Sequence, residues 1–175
     1  MNPFNPYGTH QRVLVAACSQ TTGPIIELGC GDWSTRLLHD FFPDRYIVSV
    51  ETNMEWMTKY VHLRSPNHVF MLLKDFSFYR SPVARAGVLF IDFDPGRQRR
   101  GILLQEANSA DMLICHDTEP TCHPDYAWGT IFDTFKYRYD DTVSGRWQQD
   151  GGMYARGTTV VSNTQPFFSP PPEIN

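Results

Sequence analysis

The run Ile26-Glu27-Leu28-Gly29-Cys30-Gly31-Asp32-Trp33-Ser34-Thr35 passes from apolar, strand-type residues into a turn punctuated by glycine. Glycines at 29 and 31 permit a tight reversal and leave room for a ligand to approach the main chain. A helix beginning just beyond offers unpaired N–H groups to a carboxylate or a phosphate. Twenty residues past Gly31, closing the next apolar stretch, stands Glu51, where a carboxylate accepts both hydroxyls of a ribose. Together these residues point to a nucleoside-bearing ligand. The plainer alternative is a turn that serves only strand-to-helix packing, with Glu51 in solvent.

Two further apolar runs end in carboxylates: Val88-Leu89-Phe90-Ile91-Asp92-Phe93-Asp94 and Ile114-Cys115-His116-Asp117-Thr118. If they are neighbouring strands, Asp92 and Asp117 lie on the ligand side and are able to share a hard cation such as Mg²⁺, which takes carboxylate oxygens. Such a metal orients a hydroxyl and lowers its pKa. Carboxylates that cap nearby helices or face solvent are the alternative. His116 is the first candidate for a general base, because imidazole titrates near neutrality; Asp94 is the second. Arg97, Arg99 and Arg100 open the following helix, where cations oppose the macrodipole. They read as a solvated face, as partners for Asp92 and Asp94, or as receptors for an anionic group. Arginine supplies twelve of the fifteen basic residues and binds phosphate bidentately. Cys122-His123 has no second ligand pair at zinc spacing.

The elements that must hold these groups follow from the apolar pattern. Strands are expected at residues 24–28, 46–50, 69–73, 88–93 and 112–115, too apolar to face water. Helices are expected at 9–19 (with Thr9 as N-cap), 32–42, 53–63, 97–108 and 126–135, and a short one at most within 76–86. Two more strands, near 135–140 and 157–162, read as an antiparallel pair. Five strands alternating with helices make an α/β protein, a doubly wound, mostly parallel sheet with ligands beyond the strand C-termini. Residues 1–162 form one domain, and 163–175, rich in proline, an extended or disordered tail.

The first motif resembles motif I of class I S-adenosylmethionine-dependent methyltransferases, in the E-x-G-x-G-x-x-S-T form of small O-methyltransferases, matched by Glu27, Gly29, Gly31, Ser34 and Thr35. The resemblance implies a seven-stranded Rossmann-like methyltransferase fold, with S-adenosylmethionine held by these residues, by Glu51 and by Asp75 at the adenine. The segments at 92 and 117 resemble those of metal-dependent O-methyltransferases, of the catechol and cephalosporin-hydroxylase-like types, which implies Asp92 and Asp117 as ligands of Mg²⁺. Two positions depart from that pattern. The histidine expected after Asp94 is replaced by Pro95, and the lysine base of the catechol enzymes also falls on Pro95. The resemblance thus implies methyl transfer to oxygen of a small or anionic substrate. Binding of the cofactor without turnover, as a subunit or regulator, is the alternative. A nicotinamide-dependent oxidoreductase is disfavoured because Ser34 stands where a third glycine belongs and Trp33 crowds a pyrophosphate. Asp94-Pro95-Gly96 matches the D-P-P-Y of base-modifying methyltransferases only weakly.

Composition sets the outer bounds. A chain of 175 residues, 41% hydrophobic and 14% aromatic, builds one domain with a substantial core. Its net charge of −4 does not favour a nucleic-acid partner, and no apolar run reaches the ~18 residues of a membrane span. Cys18, Cys30, Cys115 and Cys122 show no paired spacing, so reduced thiols and a cytoplasmic setting are expected. Val15-Ala16-Ala17-Cys18 looks like a lipoprotein cleavage site but lacks an apolar segment upstream. Substrate selection falls to the loops after the fourth and fifth strands, to residues 141–156, or to a second subunit.

Overall fold

The computed structural model describes residues 8–141, 146–149 and 152–168. Among these residues are nine strands and five α-helices. In chain order they are α1 (Gln11–Ser19), β1 (Ile25–Leu28), α2 (Thr35–Phe41), β2 (Ile47–Glu51), α3 (Met54–Tyr60), β3 (His68–Leu72), β4 (Ala86–Ile91), α4 (Arg99–Gln105), β5 (Ala110–His116), α5 (His123–Tyr126), β6 (Tyr137–Asp141), β7 (Arg146–Gln149), β8 (Gly152–Ala155) and β9 (Thr158–Ser162). Seven of the strands form one sheet in the order β3-β2-β1-β4-β5-β9-β6, and β7 and β8 pair as a separate ribbon. The first five run parallel, and β9 runs antiparallel between β5 and β6.

Burial on both faces explains the parallel sheet. Every residue of β1, β2 and β4 is buried, and alternate residues feed two cores. On one face Ile25, Ile47, Val88, Phe90, Met112 and Ile114 pack under Val13, Leu14 and Ala17 of α1 and Leu37 and Leu38 of α2. On the other, Ile26, Leu28, Val50, Leu89, Ile91 and Leu113 meet Phe76, Phe93, Ile102, Leu103, Trp128 and Phe132. Each such side chain contributes ~1.5–3 kcal/mol on leaving water.

Register then lines up the strand ends. Leu28 lies opposite both Val50 and Ile91, and Ile91 opposite Cys115. One residue further on, Gly29, Glu51, Asp92 and His116 therefore stand in one row along the edge from which ligands are bound.

Local boundaries differ from expectation where side chains are claimed by distant partners. Helix α1 has His10 at its N-cap position with no capping side chain; Thr9 does not cap it, because its hydroxyl lies 2.9 Å from His116 Nε2. Helix α2 starts at Thr35 because residues 31–34 form the glycine turn. The single helix expected over 126–135 is replaced by α5 and a 3-10 turn, Ile131–Thr134. Ala127 and Gly129 take left-handed backbone angles between them, and buried Trp128 is pulled into the core. The tail follows the sheet as far as residue 168. Gln20 and the main chain of Phe168 exchange hydrogen bonds of 2.8 and 2.9 Å, and Phe167 packs on Tyr139. The remainder of the proline-rich segment, 169–175, lies outside the described residues. Among them no helix is long and apolar enough to cross a membrane.

Candidate functional site

A cleft of about 1080 Å³ opens beyond the row of strand ends. Its first wall is the turn after β1. Gly29 adopts φ 94°, and a Cβ there would collide with the Asp92 carbonyl, so only glycine fits. The Gly31 N–H donates to Thr35 Oγ1 at 2.9 Å, and the Gly31 carbonyl accepts from the N–H groups of Ser34 and Thr35. Underneath, the wholly buried Glu27 accepts hydrogen bonds from Thr35 Oγ1 at 3.1 Å and Ser49 Oγ at 2.5 Å. Burial pushes its carboxyl up to about 7, against the opposing pull of these hydroxyls and Ser34.

Glu51 meets this turn from the side. Its Oε2 accepts from the Cys30 N–H at 2.9 Å, and its Oε1 from the N–H groups of Thr52 (2.6 Å) and Asn53 (2.8 Å). Three amides thus fix the carboxylate against the cleft; Oε1 already accepts two of them, and Oε2, with one, retains a lone pair for a hydroxyl. Asn53 caps α3 by accepting from the N–H groups of Glu55 and Trp56. Trp33 and Trp56 complete this end of the cleft.

The opposite end is a charge network built on Arg99, only 3% exposed. Its Nε donates to the Phe93 carbonyl at 2.7 Å, and its terminal nitrogens reach Asp92 Oδ1 at 3.1 Å and Asp117 Oδ2 at 3.3 Å. The Tyr126 ring covers the guanidinium, 4.5 Å away, and the Tyr126 hydroxyl donates to Asp117. Arg156 holds the other Asp117 oxygen at 2.7 Å, and the Trp128 indole N–H donates to the Asp117 carbonyl.

His116 is buried beside them, its Nδ1 3.2 Å from Asp92 Oδ2 and its Nε2 against Thr9. Burial opposes its protonation, yet Asp92 and then Asp117 outweigh that and raise its pKa. Asp92, for the same contact and for Arg99, is held well below the usual carboxylate range despite the cost of desolvation. His10 also lines the cleft. Burial, reinforced by His116, drops its pKa to about 3, so it is a neutral imidazole.

No family model matches the sequence, and no curated protein matches it. Solved structures share its architecture. The plantazolicin methyltransferase BpumL, in complex with S-adenosylhomocysteine, superposes with a TM-score of 0.64 at 10% identity, covering 92% of this chain and 85% of that one. An O-methyltransferase from Bacillus cereus, also with S-adenosylhomocysteine, gives 0.59 at 12% identity over 89% and 80%. The O-methyltransferase TomG from Streptomyces achromogenes, with S-adenosylmethionine, gives 0.56 at 16% identity over 91% and 80%. The chain has the class I methyltransferase fold.

Within this methyltransferase fold, Gly29, Gly31, Ser34, Glu51, Asp92, Asp94, His116 and Asp117 all border the cleft. Glu27 and Thr35 lie one layer beneath it, bracing the glycine turn. Asp75 sits apart from the cleft wall: it caps the 3-10 turn Phe76–Phe78 and accepts from Gln98 Nε2 at 3.2 Å. The Asp92–Asp117 pair does not fit a bridging Mg²⁺, because the Arg99 guanidinium already ties the two carboxylates together and Arg156 holds Asp117 from the other side. Of the three helix-opening arginines, Arg97 reaches the cleft rim, Arg99 is buried, and Arg100 is exposed and donates to the Ala127 carbonyl. Sequence reasoning passed over His10, Arg156 and Tyr126. An isolated histidine before a helix carries no pattern, and the signal for all three is their meeting with β4 and β5.

Proposed function

We propose that the cleft binds S-adenosylmethionine and that the protein transfers its methyl group to an oxygen of a small or anionic acceptor. The observation that carries this reading is the Glu51 carboxylate, locked by three amides beside the Gly29–Gly31 turn and facing an open cleft. That arrangement suits a ribose hydroxyl donating to the free lone pair of Oε2, with Trp56 and Thr52 bordering the space for the base. The neighbours BpumL and TomG hold S-adenosylhomocysteine and S-adenosylmethionine respectively, which supports the choice of ligand.

Transfer is an in-line displacement. An acceptor lone pair forms the new O–C bond while the C–S bond breaks, and the sulfonium leaves as a neutral thioether. Holding the two reactants in line supplies most of the acceleration. Asp94, exposed on the rim and without an ion pair among the described residues, takes the acceptor proton. His116 positions Asp92 instead, because both of its ring nitrogens are engaged. Arg97 and Arg156 line the acceptor end and match an anionic group there.

Calorimetric titration with S-adenosylhomocysteine and with NAD tests the reading. Binding of the first and not the second is expected, with Glu51→Ala weakening it by about 1.5–3 kcal/mol. If NAD alone binds, the assignment fails. The engaged nitrogens of His116 favour one rival, a cofactor-binding module without turnover; it predicts binding but no labelled methyl on any acceptor.

A further inference from the structure

His10 is 2% exposed, and among the described residues neither ring nitrogen makes a well-formed hydrogen bond, the Trp33 main chain offering only a weak one. A neutral imidazole carries one donor and one acceptor, and leaving such groups buried and unpaired is costly. The ring does not lie in an apolar pocket. It borders the cleft and meets His116 edge to face, with centroids 4.7 Å apart, while Phe90 supports it from the side. One nitrogen or oxygen from each of His10, Asp92 and His116 falls within 4.8 Å of the others.

We infer that His10, Asp92 and His116 form a binding site for a first-row divalent transition metal of the zinc and iron(II) class. Ligands about 2.0–2.2 Å from such an ion stand ~3.0–3.5 Å apart. Asp92 Oδ2 and His116 Nδ1 already do so, at 3.2 Å. A nitrogen of His10 lies within 4.8 Å of both, so a small inward shift of that ring closes the third position.

The surroundings are those of a prepared ligand set. Thr9 Oγ1 engages His116 Nε2 at 2.9 Å, fixing the ring with Nδ1 toward the site. Arg99 holds Asp92 by Oδ1, leaving Oδ2 for the ion. Such outer partners orient metal ligands. Asp92, Asp117 and Glu119 face Arg99 and Arg156 here, and a cation takes the place of the proton that His116 Nδ1 and Asp92 Oδ2 otherwise share. Two imidazoles and one carboxylate suit zinc, iron or cobalt, whereas Mg²⁺ prefers an all-oxygen set. With three protein ligands on one side, the remaining coordination positions open to the cleft. This donor set differs from the Asp92–Asp117 pair that Arg99 occupies, and it does not require that methyl transfer occur.

The test is titration of chelator-treated protein with Co²⁺, read by its visible absorption. One equivalent is expected to bind, to be displaced by Zn²⁺, and to be indifferent to millimolar Mg²⁺. His10→Ala, with its fold checked by circular dichroism, is expected to lower Co²⁺ affinity at least tenfold and to change the spectrum. X-ray absorption of the cobalt-loaded wild-type protein needs no variant and is expected to show two imidazole ligands. Three results would overturn the site: no stoichiometric binding, an unchanged spectrum in folded His10→Ala, or loss of binding on changing His39, whose ring lies 3.2 Å from His68. Titration of the same wild-type protein with S-adenosylhomocysteine judges the methyl-donor reading separately.

Discussion

Glu27 shows how one buried side chain couples the glycine turn to pH. Its carboxyl is pushed up to about 7 by burial, so the folded protein keeps a proton that the unfolded chain releases near pH 4.5. Between those values the native state binds more protons, and stability falls as pH rises. Wild-type protein should therefore lose about 3 kcal/mol more than Glu27→Gln between pH 4.5 and pH 8, measured by urea unfolding. His68, lowered to about 4 mainly by burial, acts in the opposite sense and loses its contribution as pH falls; both proteins carry it, so the comparison cancels it. The residues around Glu27 were legible in the sequence because Gly29, Gly31 and Glu51 sit within one strand-helix-strand unit. His10 was not, and for Arg99 the pairing with Asp92 was among the readings while its burial was not. Their burial arises only when α1 and α4 dock against the ends of β4 and β5, and nothing in their own neighbourhoods announces it.

At the scale of elements, continuous apolar runs gave away the five parallel strands, since only strands covered on both faces tolerate them. The segment 126–135 misled for a physical reason. Ile131, Phe132 and Phe135 mimic helical spacing, but Trp128 is anchored in the core and donates its indole proton to the Asp117 carbonyl, which bends the chain through Ala127 and Gly129. Trp128→Ala should cost ~3–5 kcal/mol, the range for emptying a buried aromatic site, with chemical denaturation as the measurement. The ribbon of β7 and β8 was missed as well. Its two strands, Arg-Trp-Gln-Gln and Gly-Met-Tyr-Ala, are only four residues each, too short for a pattern to mark them.

For the whole molecule, the sheet order brings the glycine-turn end and the arginine end of the cleft to neighbouring strands, β1 and β4. A ligand that spans both acts on the entire fold and stabilises it by mass action. S-adenosylhomocysteine at a hundredfold excess over its Kd should add about 2.7 kcal/mol, seen as a rise in Tm that Glu51→Ala diminishes. Overall architecture was the most legible level of all, because it needs only the alternation of strand and helix. Identity of the acceptor was the least, because it depends on rim side chains drawn from segments far apart in the chain.

Gly29 packs so tightly on the Asp92 carbonyl that not even a methyl group fits between them. The turn after β1 and the end of β4 therefore share one tightly fitted seam. An engineer who wants to change what the cleft accepts can leave that seam alone and rebuild only the rim, around Asp94–Arg97 and Asp125–Tyr126.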